Sequence, residues 1–182
     1  MMRKILLTML ICLAAHGATR AQMLALKTNA LYDLALVPNI GIEVATGSKT
    51  SVAVNGFATW YIFGMSHAKA WGFVPEFRYW FSGSTFSKFY AGAGATIARF
   101  EVCPSATIYN GSAYGAGINV GYNYWLTKRI SVDFHGGVGL YYHSHARYLN
   151  TDQDLPEIPD HNYKGWVVLP YQIGVSFVYI LK

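Results

Sequence analysis

From Tyr114 to Tyr124 every second residue is bulky or apolar (Tyr114, Ala116, Ile118, Val120, Tyr122, Tyr124), and between them stand Gly115, Gly117, Asn119, Gly121 and Asn123. A period of two held over this length specifies an extended strand, because successive side chains of a strand point to opposite faces. Strands of soluble domains average about 5–6 residues, whereas about 9–11 cross a bilayer when tilted. The composition of the two rows matters as much as the period. A soluble sandwich turns its large residues inward, but here the small and amide-bearing row suits a narrow polar interior and the bulky row suits lipid.

The same arithmetic recurs along the chain. Leu26, Thr28, Ala30, Tyr32 and Leu34 alternate with Lys27, Asn29, Leu31 and Asp33; Ile40, Ile42 and Val44 alternate with Gly41, Glu43 and Ala45; and Val52, Val54, Gly56, Ala58 and Trp60 form a third apolar row. Trp71, Phe73, Pro75, Phe77 and Tyr79 face away from Gly72, Val74, Glu76 and Arg78. Proline lacks the N–H that a ladder needs, so a local bulge is expected at Pro75. Phe89 to Ile97, Ile130 to Tyr142 and Tyr171 to Leu181 complete eight segments.

Connections alternate too: residues 46–50, 82–86 and 127–129 are short, and residues 62–70, 101–112 and 143–164 are long. Short turns on the periplasmic side and long loops outside are the habit of outer-membrane barrels. A short outer connection over 36–39 puts both termini in the periplasm. Trp60, Tyr61, Trp71, Tyr79, Trp80, Tyr124, Trp125, Tyr141, Tyr142 and Trp166 fall near strand ends and are expected to form interfacial girdles. The expected fold is all-β: an eight-stranded antiparallel up-and-down transmembrane barrel, a size at which side chains fill the interior.

The first residues read as an export signal. Arg3 and Lys4 precede an apolar run from Ile5 to Ala15, too short to span a bilayer, and a small-residue stretch ends at Ala21. Residues 1–21 are therefore expected to be cleaved, leaving a barrel over 22–182. A lipoprotein signal at Cys12 is disfavoured, since Ile11 stands where a small residue is wanted. Losing Arg3, Lys4 and Arg20 leaves 11 basic against 9 acidic residues, so the basic character is mostly the leader's and gives no support for nucleic-acid binding. One cysteine, Cys103, then remains.

Two resemblances sharpen this. The stretch Gln172 to Tyr179, with a polar residue at Gln172, Gly174 two later, and Phe177 and Tyr179 spaced by one, resembles the last-strand signal read by barrel-assembly machinery, although Ile180, Leu181 and Lys182 follow it. The stretch Leu26 to Asp33, continuing through Pro38 to Glu43, resembles the start of the family called domain of unknown function 3575. That resemblance implies a small outer-membrane barrel of a Gram-negative gut or oral bacterium, often encoded near fimbrial or surface-assembly components. It implies no activity and carries over no site residues.

Lys27, Asn29, Asp33, Glu43, Glu76, Arg78, Asp133 and His135 all fall on the expected lumen face. Charges in so narrow a space must pair, and the expectation is a structural plug, with a gated ion path or a binding site as the functional alternative. Ser144 and His145, with Glu101, are the weak candidates for a rim-active lipid hydrolase, but neighbours on a strand point to opposite faces. Asp152, Asp154, Glu157 and Asp160 make an acidic outer loop without the glycine-containing spacing of a calcium loop. No cofactor and no metal is expected. The function expected is that of a non-enzymatic barrel that anchors, scaffolds or helps assemble a surface, possibly fimbrial, structure, with a lipid hydrolase or a small channel as alternatives. Expected partners are outer-membrane lipid and lipopolysaccharide, the assembly machinery and surface proteins.

Overall fold

The computed structural model describes residues 23–61, 67–103, 107–149 and 163–181. The expected leader and the acid-bearing part of the outer loop, Asp152 to Asp160, lie outside the described residues. In chain order the elements are β1 (Leu24–Asn29), α1 (Ala30–Leu34), β2 (Asn39–Ala45), β3 (Thr50–Thr59), β4 (His67–Trp80), β5 (Lys88–Cys103), β6 (Thr107–Trp125), β7 (Ile130–Leu149), β8 (Tyr163–Pro170) and β9 (Gly174–Ile180). Each strand pairs antiparallel with the next from β1 to β7, and β8 and β9 both pair with β7. The sheet closes where β1 meets β9, from Ala25 opposite Ile180 to Asn29 opposite Ser176. Closure removes the edges that an open sheet leaves unpaired.

β8 and β9 make one crossing strand broken by a bulge. Val138 pairs with Pro170 and His135 with Gly174, so Gly136 and Gly137 oppose three residues, Tyr171, Gln172 and Ile173. Gln172 takes φ 48 there, and the Tyr171 N–H donates to the Gly137 carbonyl at 2.9 Å. The extra residue reverses the facing: Tyr171, expected among the outward residues, is fully buried in the lumen, while Ile173 is exposed. No bulge forms at Pro75. Phe73 pairs with Ile97 and Glu76 with Gly94, the same register on both sides of the proline, so the ladder is interrupted without slipping.

The first predicted strand stops early. Asn29 turns the chain, its Oδ1 accepting from the Leu31 N–H at 3.0 Å as the cap of α1, so Ala30 to Leu34 leave the wall. Other strands run further than expected. β6 and β7 are 19 and 20 residues long and occupy much of what reads in sequence as loops 101–112 and 143–164. Their turn-side ends stay level at residues 125 and 130, so the additional length lies at the far end of the barrel.

The outer wall marks where the apolar medium stops. Ile97, Tyr114, Tyr142 and Trp166 are aligned across β5 to β8, and the next outward row along the same strands is Arg99, Ser112, Ser144 and Lys164. Val52, Val54, Ile118, Val120, Val138 and Val168 are exposed below that boundary. Among the described residues no helix is long and apolar enough to cross a membrane, so crossing falls to the strands. Of the expected girdle, Trp60, Tyr61, Trp71, Tyr79, Tyr124 and Trp166 are exposed, but Trp80 and Tyr141 are buried in the lumen because they share their strands' inward parity.

Candidate functional site

The lumen is filled, and its middle layer is ionic. Arg78, fully buried on β4, is the hub. Its Nε donates to Glu76 Oε1 at 2.5 Å and its Nη2 to Glu76 Oε2 at 3.3 Å, while Nη1 lies 2.9 Å from Asp133 Oδ2 and 3.2 Å from Glu43 Oε2. Spacing of two on one strand puts Glu76 and Arg78 on the same face, and the register brings Glu43 from β2 and Asp133 from β7 across the interior. Lys27 of β1 donates to Glu43 Oε2 at 2.8 Å. The guanidinium also stacks over the Tyr90 ring, 4.3 Å from its centroid.

Neutral donors complete each carboxylate. Ser51 donates to Glu43 Oε1 at 2.5 Å and itself accepts from the Trp80 indole N–H at 2.9 Å; Asn119 donates to Glu76 Oε1 at 3.0 Å; the Tyr90 hydroxyl donates to Asp133 at 3.0 Å. Every oxygen of the three carboxylates thus has a partner. A buried ionic cluster holds its place only when satisfied to this degree. The layer bears three carboxylates against the two permanent cations Lys27 and Arg78, with His135 beside it, its Nδ1 3.8 Å from Asp133 Oδ2.

Apolar plugs close the layer on both sides. Towards the short turns, Trp80, Phe86, Tyr90, Val178 and Ile180 pack together with Ala25 and Ala45. Phe86 belongs to the turn after β4 yet is buried, with φ 60, and Asn123 donates to its carbonyl at 2.9 Å. On the other side Val74, Tyr141 and Tyr171 form a second plug with Phe57 and Val167 against it. The glycines of β6 make room for these rings: a Cβ on Gly121 would stand 2.5 Å from the Tyr90 hydroxyl, and one on Gly117 would stand 2.4 Å from Tyr171 Cγ. A cavity of about 40 Å3 remains beneath α1, lined by residues that include Lys27, Asn55, His135 and Gln172.

Six of the eight residues expected on the lumen face meet in or beside this layer: Lys27, Glu43, Glu76, Arg78, Asp133 and His135. Asn29 faces inward at its edge, donating to the Ile173 carbonyl at 3.2 Å. Asp33 does not belong to it. Since the chain has become helical, Asp33 is exposed and accepts from Thr28 Oγ1 at 2.7 Å and Asn39 Nδ2 at 2.8 Å, clamping the turn before β2. Sequence reasoning missed Ser51, Trp80, Tyr90 and Asn119 as members of the network. Their signal lies in the parity of β3 to β6, and Trp80, whose residue type suits the girdle, has that inward parity too.

The residues weighed for hydrolysis do not converge. Ser144 shares the outward row with Arg99, and Glu101 has the same parity on β5, whereas His145 faces inward opposite Gly111. Of the terminal signal, Gln172 sits in the bulge, Gly174 lies inward where a Cβ would strike the Asn29 amide, and Phe177 and Tyr179 are exposed on the outer wall.

A closed antiparallel barrel with an apolar outer belt and a lumen sealed by ion pairs between aromatic plugs defines a small transmembrane β-barrel. The chain belongs to the family described as Protein of unknown function (DUF3575), whose model matches residues 5–181. Among solved structures, Neisserial surface protein A (NspA) is similar at 16% sequence identity and a TM-score of 0.43, over 87% of this chain and 94% of that one. No curated protein matches the chain.

Proposed function

We propose that the chain is an outer-membrane barrel that anchors a cell-surface structure or assists its assembly, without chemistry of its own. The observation that supports this best is the contrast between interior and wall. The interior is packed through its whole middle, so neither a permeating solute nor a substrate has room there, while β5, β6 and β7 extend 16, 19 and 20 residues and rise past the apolar belt. A wall so prolonged offers a rigid sheet above the lipid on which an exported subunit can dock. Lys69, Arg99 and Lys164, exposed just beyond the aromatic row, suit the phosphates of lipopolysaccharide. The outward Phe177 and Tyr179 suit recognition of the last strand by assembly machinery.

Deleting the gene is expected to strip surface fibres or their subunits from intact cells, read by shaving the cells with protease and identifying the released proteins. Restoring a chain whose strands beyond residues 101–110 are shortened is expected to return the barrel to the membrane without returning the fibres. Intact surface structures after deletion contradict this reading. An altered lipid A mass spectrum would favour the hydrolase alternative instead.

A further inference from the structure

Above the Tyr141 plug, on the inner face of the projecting part of β7, His143 and His145 stand two residues apart. Their rings lie nearly parallel, 24° between planes, and Nδ1 meets Nδ1 at 3.2 Å. Two nitrogens bound to one ion at about 2.0–2.1 Å sit about 2.9 Å apart at a right angle and about 3.4 Å apart at the tetrahedral angle. The observed separation falls inside that bite, so the pair has the arrangement of two ligands closed by a proton in place of a metal.

The strands beside the pair place small residues opposite both histidines. Across the sheet, His145 faces Gly111 and His143 faces Gly165, so the neighbouring strands put no side chain against the pair at those positions. His145 is held from its far side by stacking on Tyr163, with centroids 5.6 Å apart and 16° between planes, and by the Tyr109 ring at 5.6 Å.

We propose that His143 and His145 form a two-imidazole site for a borderline divalent transition metal, Cu2+ before Ni2+ and Zn2+, at the far mouth of the barrel. Imidazole suits these ions, and with few protein ligands the Irving–Williams order favours copper. Among the described residues no group of three or more metal-binding side chains occurs, so the two imidazoles are the ligands that the described residues supply. The ion sits to one side of the Nδ1–Nδ1 line and displaces the shared Nδ1 proton, which moves to Nε2 of the same ring so that both imidazoles bind as neutral ligands.

The test is Cu2+ titration of the full chain, free of any histidine tag and folded in detergent micelles, followed by electron paramagnetic resonance. One Cu2+ per chain is expected, with hyperfine coupling from two nitrogens. His143→Ala and His145→Ala should each weaken it at least about tenfold and leave one of those couplings, since even partners outside the ligand set are worth about that much. Ser144→Ala, on the opposite face, should change nothing. The heat-dependent gel shift of each variant verifies folding, and His→Gln replacements serve if alanine prevents it. Copper bound equally by the double variant, or not bound by the wild type, overturns the proposal and leaves the pair as a hydrogen bond only.

Discussion

Replacing Arg78 by leucine is expected to lower the stability of the barrel by about 3–5 kcal/mol, because it strands buried carboxylates without their cation. Arg78 contacts Glu43, Glu76 and Asp133 at once. Lys27 reaches only Glu43, so Glu76 and Asp133 would keep neutral donors alone. Arg78→Lys should recover part of the loss and not all of it, since an ammonium cannot span the fork to Glu76 while stacking over Tyr90. Urea titration in micelles, with folded and unfolded chains separated by their gel mobility, measures both. A loss within about 1 kcal/mol for Arg78→Leu would mean that the cluster is neither dry nor central, given that exposed ion pairs contribute only that much.

The second large effect is expected from Gly121→Val. Its Cβ would stand 2.5 Å from the Tyr90 Cζ and hydroxyl, and that ring is pinned by Asp133 on one side and the Arg78 guanidinium on its face. Overpacking of this kind costs about 1–3 kcal/mol where neighbours can shift and more where they cannot. Here a shift also breaks a satisfied hydrogen bond, so the upper part of that range is expected. Gly136→Ala is the matched comparison, since nothing lies within 4 Å of its Cβ, and it should stay within about 0.5 kcal/mol of the wild type. Equal losses at the two positions would show that the glycines serve the backbone and not the rings.

These two residues also show how far the fold could be read from sequence. The alternation of bulky and small residues fixed the facing of Arg78 and Gly121, as it did for nearly every residue of β2 to β7, because lipid and lumen impose opposite demands on neighbouring positions. The period gives way where a local interaction beats it. Asn29 caps a helix and takes Asp33 out of the lumen; one extra residue opposite Gly136 and Gly137 turns Tyr171 inward. Pro75 misled in the other direction, since a residue whose N–H is missing interrupts a ladder without shifting it. Strand ends were hidden for a different reason: past Arg99, Ser112 and Ser144 the wall meets water on its outer side, so the contrast that marks a strand in lipid fades while the hydrogen-bonded pairing continues.

The candidate site was legible as a set of charges and illegible as a circuit. Which carboxylate meets which cation depends on register, and register follows from turn lengths and pairings that no single strand reveals. The aromatic plugs were harder still. Trp80 and Tyr141 are amphipathic rings near the strand ends expected from sequence, where both an interfacial girdle and a capped lumen use the same residue types, and only the parity of their strands separates the two roles.

The central claim, a barrel with lipid on one face of every strand and a sealed polar interior on the other, is tested most directly by side-chain resonances, methyl and amide, in micelles that contain a lipid carrying a paramagnetic group in its acyl chain, because side chains and not backbone amides alternate between the two faces. Methyl signals of Ile118, Val120, Val138 and Val168, all exposed on the outer wall, are predicted to be strongly attenuated, and those of the buried Ala53, Val74 and Val178, with the Asn119 side-chain amide, to be far less so, giving an attenuation that alternates along the strands. Attenuation that is uniform along the strands, or absent from the outward row, would contradict it.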